Sequence, residues 1–125
     1  MKLSTFSLIW AVIYLGFGLG LLLIPAQFMT TYGVTLDANG AFMTRILGSA
    51  LTGFAVIFYL NRNTAGTDKT QHNILLGSFV YNLCDLPVVL FATLNGVMSA
   101  MGWIPVALHV FLAVTFGYFT LRKAE

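Results

Sequence analysis

The sequence predicts an all-α integral membrane protein, a compact four-helix transmembrane bundle with short loops, forming a single domain over residues 1–125. Three observations carry that expectation. Hydrophobic residues make up 58% of the chain and charged residues 8%, against roughly 25% charged in an average soluble domain. Four apolar stretches, over 4–24, 41–60, 72–94 and 101–121, each approach or exceed the about 20 residues that carry a helix across roughly 30 Å of hydrocarbon. The basic residues, finally, cluster at the termini and in the middle connection, and the first and third connections hold none.

Span 4–24 follows Lys2 and contains Gly16 and Gly20, a small-xxx-small pair of the kind that lets two membrane helices approach closely. It resembles a secretory signal peptide in having a Lys before an apolar run. That run exceeds an ordinary signal core, however, and residues 21–27 lack a small-residue cleavage pattern, so the segment is expected to be retained. The connection over 25–40 is the longest polar stretch. Phe28, Met29 and Tyr32 suit an interfacial helical turn, and Asn39-Gly40 reads as a turn.

Span 41–60 contributes Arg45 and two further small-residue pairs, Ser49 with Gly53 and Gly48 with Thr52. Arg45, Ser49 and Gly53 fall at four-residue spacing, so Arg45 is expected on a helix contact face. Span 72–94 holds Tyr81, Asn82, Cys84, Asp85 and Pro87; the proline lacks a backbone donor, which predicts a bend beside the Leu83 carbonyl. Span 101–121 carries Pro105 near its start and His109 inside it. Trp103, Tyr59 and Tyr118 suit the headgroup region; Tyr81 does not.

Lipid offers no partner to a free backbone amide, so spans of this length should be helices, and four strands would be too few for a membrane barrel. Lys2, Arg62, Lys69, Arg122 and Lys123 all lie on one side of an even number of crossings, whereas 25–40 and 95–100 hold no Lys or Arg. Both termini are therefore expected to be cytoplasmic.

Four ionisable or amide side chains inside the spans stand above this plain design: Arg45, Asn82, Asp85 and His109. Such groups are costly in hydrocarbon and face protein or water. At about 1.5 Å of rise per residue, Arg45 should lie roughly 7 Å below the external boundary, Asp85 roughly 13 Å and His109 roughly 12 Å. Three helices thus place polar groups in the same outer half, which predicts an Arg45–Asp85 pair with His109 nearby. Two uses stay open. One is a structural ion pair, with His109 bonded to a carbonyl or to Tyr81. The other is a crevice in which Arg45, Asp85, His109, Asn82 and Tyr81 receive an anionic, polar or quinone-like headgroup.

Familiar catalytic and cofactor signatures are missing. The chain has no HExxH, phosphate-binding loop, paired-cysteine site or nucleophile elbow. His72 and His109 are expected at different depths, which disfavours a bis-histidine haem, and adjacent Cys84 and Asp85 point about 100° apart, a poor metal site. No catalytic residue, metal or cofactor is assigned, and a net charge of +2 offers nucleic acid no binding surface. Cys84, the single cysteine, excludes an internal disulfide and reads as a buried small apolar residue.

The length, the four-span layout, the Gly-rich first helix and the Arg45-Ile46-Leu47-Gly48-Ser49-Ala50-Leu51-Thr52-Gly53 run resemble small bacterial membrane proteins of the DoxX-like kind. The resemblance is architectural and covers most of the chain, and the 81–85 region has no counterpart in it. It implies a multi-pass protein of the bacterial inner membrane, in a family some of whose members are associated with quinone-linked oxidoreductases. Very short loops and the lack of a catalytic domain point first to an accessory or structural subunit, homo-oligomeric or within a larger complex, rather than to an enzyme. The alternatives are a small oligomeric transporter or binding protein for a polar, anionic or quinone-like ligand, or a membrane enzyme acting on lipid or quinone.

Overall fold

The computed structural model describes residues 2–121. Arg122 and Lys123, two of the basic residues behind the orientation argument, lie outside them. Long apolar stretches with no internal source of backbone partners other than themselves fold as helices: α1 (Leu3–Leu23), the short α2 (Pro25–Thr30), α3 (Ala38–Leu60), α4 (Lys69–Leu94) and, after a 3-10 turn over Ala100–Gly102, α5 (Trp103–Leu121). Four stretches, Leu3–Leu23, Ala38–Leu60, Lys69–Leu94 and Ala100–Leu121, are long and apolar enough to cross a membrane. This is the makeup of a multi-pass membrane protein. The helices group into two units, Met1–Thr64 and Ala65–Glu125.

In the first unit α1 packs against α3. The buried face of α1 repeats at three and four residues, through Phe6, Trp10, Tyr14, Gly18 and Leu21, and that of α3 through Gly48, Leu51, Ala55 and Phe58. Tyr14 joins the two, its ring centroid 6.0 Å from that of Phe54 and 5.7 Å from that of Phe58. Closest approach is at Gly18 and Gly48. A Cβ on Gly18 would stand 2.5 Å from the Thr52 hydroxyl oxygen and 2.7 Å from the Thr52 amide nitrogen, and one on Gly48 would stand 2.6 Å from the Leu22 nitrogen and 2.7 Å from the Gly18 carbonyl oxygen. Backbone meets backbone there, which any side chain would prevent.

The small-residue pairs expected at this contact are therefore only partly used. Gly48 and Thr52 lie in it, but Gly16 and Gly53 have open space where a Cβ would go, and Gly20 faces the ring of Phe28. Residues two apart on a helix differ by about 200°, so Gly18 at the contact turns Gly16 and Gly20 away from it.

Local signals set the ends. Ile24 breaks the helical path after α1, and Pro25, which needs no donor, opens α2. Gly33 then adopts φ 78°, a left-handed conformation that favours glycine. Asp37 caps α3, its carboxylate accepting from the Gly40 amide at 2.6 Å. Asn39-Gly40, expected as a turn, consequently lies in the first turn of α3, because the cap three residues upstream wins. Of the residues expected in a helical turn, Phe28 and Met29 lie in α2 and Tyr32 in the turn that follows it.

In the second unit α4 packs against α5. Asp68 caps α4 by accepting from the Thr70 amide at 2.7 Å. The helix runs on through Pro87 and ends at Asn95, with Gly96 beyond it at φ 72°. Gln71, Leu75, Ser78 and Asn82 form its buried stripe, and Val106, Leu112, Ala113, Phe116, Gly117 and Thr120 that of α5. The Phe79 ring covers Gly117, 3.1 Å from where a Cβ would sit.

Candidate functional site

The buried stripe of α4 is polar at its centre. Ser78 is 2% exposed and its hydroxyl donates to the Ile74 carbonyl at 2.9 Å, so the serine is satisfied by its own helix. One turn on, Asn82 is fully buried and its amide nitrogen donates to the Ser78 carbonyl at 2.7 Å. That bond turns the amide oxygen toward α5, where it lies 2.9 Å from His109 Nδ1. The other ring nitrogen, Nε2, is 3.0 Å from Oδ2 of Asp85. The Tyr81 ring meets the imidazole edge-on, with centroids 6.1 Å apart and planes at 69°.

A continuous hydrogen-bonded path thus runs from the α4 backbone through Asn82 and His109 back to Asp85 on α4. Asn82 and Asp85 stand three residues apart, one above the other on a single helix face, so both reach one imidazole inserted from α5. Burial grades along the path: Asn82 is enclosed, the His109 side chain is 12% exposed and the Asp85 side chain 33% exposed. The carboxylate is therefore the outward end of the cluster.

Four of the five residues predicted for the site come together here: Tyr81, Asn82, Asp85 and His109. Within this unit the structure gives Asp85 the partner His109. Arg45 belongs to the first unit, where it is exposed on α3 and its backbone carbonyl accepts from the Ser49 hydroxyl at 3.0 Å. Its neighbours on that stripe, Ser49 and Gly53, are also exposed, so Arg45 does not share the α1 contact face. Cys84, expected to be buried, is exposed, because position 84 is rotated about 200° from Asn82 on α4. Among the described residues no group of three or more His, Cys, Asp or Glu could hold a metal ion.

Sequence reasoning placed Asn82 in the cluster without its orienting role. The Ser78 backbone carbonyl, four residues upstream, is the group that aims it, and because any residue supplies that carbonyl the residue types gave no signal of it. The chain matches no family model, no curated protein and no solved structure.

Proposed function

We propose that this chain is a structural or accessory subunit of a membrane complex, in a homo-oligomer or a larger assembly. The observation that carries the reading is the internal use of the intramembrane polar groups. Asn82 and both ring nitrogens of His109 are engaged between α4 and α5, so groups that would be costly in lipid fasten one helix to another. On the same two helices large apolar side chains are exposed, among them Phe91, Phe111 and Val114, surfaces suited to lipid or to neighbouring helices. The basic residues near Lys2, Arg62 and Lys69 favour cytoplasmic termini, and the resemblance to DoxX-like proteins favours the bacterial inner membrane. The test is the mass of the particle extracted with its native lipids. A particle with two or more protein chains is the expected result, and a lone 13.7 kDa chain would overturn the reading.

A second reading is favoured by Asp85, whose carboxylate is one-third exposed and engages His109 through one oxygen. On this reading the protein binds or carries a polar or quinone-like ligand at Asp85 and His109, or acts there on lipid or quinone, and Arg45 attracts an anionic headgroup. A short-chain ubiquinone that raises the melting temperature of the wild type but not of Asp85→Asn would favour it over the subunit reading.

A further inference from the structure

We infer that His109 and Asp85 form a proton-binding site whose imidazole tautomer is fixed by Asn82 and whose outlet is Asp85. The inference is independent of the subunit reading and begins with the amide of Asn82. The Asn82 nitrogen is committed to the Ser78 carbonyl at 2.7 Å. Reversing the amide would set its oxygen against that carbonyl oxygen, acceptor against acceptor. The atom facing His109 Nδ1 at 2.9 Å is therefore the Asn82 oxygen, which only accepts. Nδ1 must supply the hydrogen, and in neutral imidazole Nε2 is then the bare nitrogen.

Nε2 faces Asp85 Oδ2 at 3.0 Å, so that contact also needs one hydrogen. It is met in two ways, by imidazolium against carboxylate or by neutral imidazole against carboxylic acid. Both hold the same single proton, and its passage between Nε2 and Oδ2 conserves charge within the pair. Release sends that proton from the Asp85 carboxyl to a water molecule and leaves an Nε2 lone pair facing a carboxylate. Those acceptors repel, so emptying the site loosens one of the bonds that tie α5 to α4.

The other titratable groups on the packed elements are few. On α4, Tyr81 meets the ring by its edge and Cys84 is exposed. Lys69 and His72 lie in the first turns of α4, about 20 Å or more from Asp85 by helical rise. The Ala100–Gly102 turn has none, and on α5 Tyr118 lies nine residues on, about 13 Å away. Within this unit the groups that bear directly on the pair's proton are therefore His109, Asp85 and the fixed amide.

The test is nitrogen-15 NMR of the full chain in lipid vesicles, with His72→Gln leaving His109 as the single histidine. Spectra from about pH 4 to about pH 10 span the ordinary carboxylate and imidazole ranges. Nδ1 should keep a protonated-type resonance throughout, while Nε2 moves from the protonated or hydrogen-bond-accepting type to the free bare type. A neutral form protonated on Nε2 with Nδ1 bare, or an Nε2 resonance that never moves, would overturn the inference. Asn82→Leu should populate both neutral tautomers, and a single unchanged tautomer there would equally overturn the role given to Asn82. If that variant fails to fold, the spectra with native Asn82 decide alone.

Discussion

Gly18→Ala tests the packing of the first unit with its own internal control. The new methyl would lie 2.5 Å from the Thr52 hydroxyl oxygen, 2.7 Å from the Thr52 amide nitrogen and 3.0 Å from the Gly48 carbonyl oxygen. A hydroxyl can rotate, but the other two atoms are backbone. Restoring ordinary contact requires α1 and α3 to move apart by about 0.8 Å, an overpacking that costs about 1–3 kcal/mol. Gly16→Ala adds the same methyl to the same helix with nothing within 4 Å of it, and should be neutral or stabilising by up to about 1 kcal/mol through helix propensity. The pair of variants should therefore differ by roughly 1–4 kcal/mol, about a fivefold or larger difference in the folded-to-unfolded ratio. Reversible unfolding in mixed micelles, followed by circular dichroism, reads that difference. Equal stabilities, or Gly16→Ala as the more damaging change, would refute the crossing at Gly18 and Gly48.

Further outcomes follow from other contacts. Asn82→Ala removes the acceptor of His109 Nδ1 and should destabilise the protein by about 1–3 kcal/mol, the cost of an unmet buried donor, measured in the same unfolding assay. Asp37→Ala deletes the cap on Gly40 and should cost about 1 kcal/mol, with faster amide exchange confined to the first turn of α3. The Asp68 carboxyl is held below its ordinary value of 3.8 by hydrogen bonds from Thr70, the backbone amide first. Its capping contribution is therefore complete above the ordinary value and lost as pH falls through the lower folded one. The Thr70 amide resonance should shift over that acidic window in the wild type and stay still in Asp68→Asn.

The helices were legible because span length and hydropathy are properties of consecutive residues. The expected spans 4–24 and 72–94 correspond to Leu3–Leu23 and Lys69–Leu94, and α3 starts at Ala38 rather than 41 because Asp37 supplies a cap that hydropathy does not weigh. The near-equal depths expected for Asp85 and His109 anticipated two side chains at one level, and they meet at 3.0 Å. Rotation about a helix axis was harder to read. Gly16, Gly18 and Gly20 are alike in the sequence, and only the neighbouring helix selects Gly18. Depth leaves azimuth free, and it did not single out His109, on the helix packed beside α4, as the ring that meets Asp85.

Inside each unit the paired helices are held by different physics. Where Gly18 lies against Gly48, the contact is main chain on main chain and carries no titratable atom. The union of α4 with α5 includes directional bonds through His109, whose number depends on a proton. Acid or base should therefore act directly on the α4–α5 union and leave the glycine crossing of α1 with α3 untouched, so that in a protein of 125 residues one helix contact responds to the medium and the other does not.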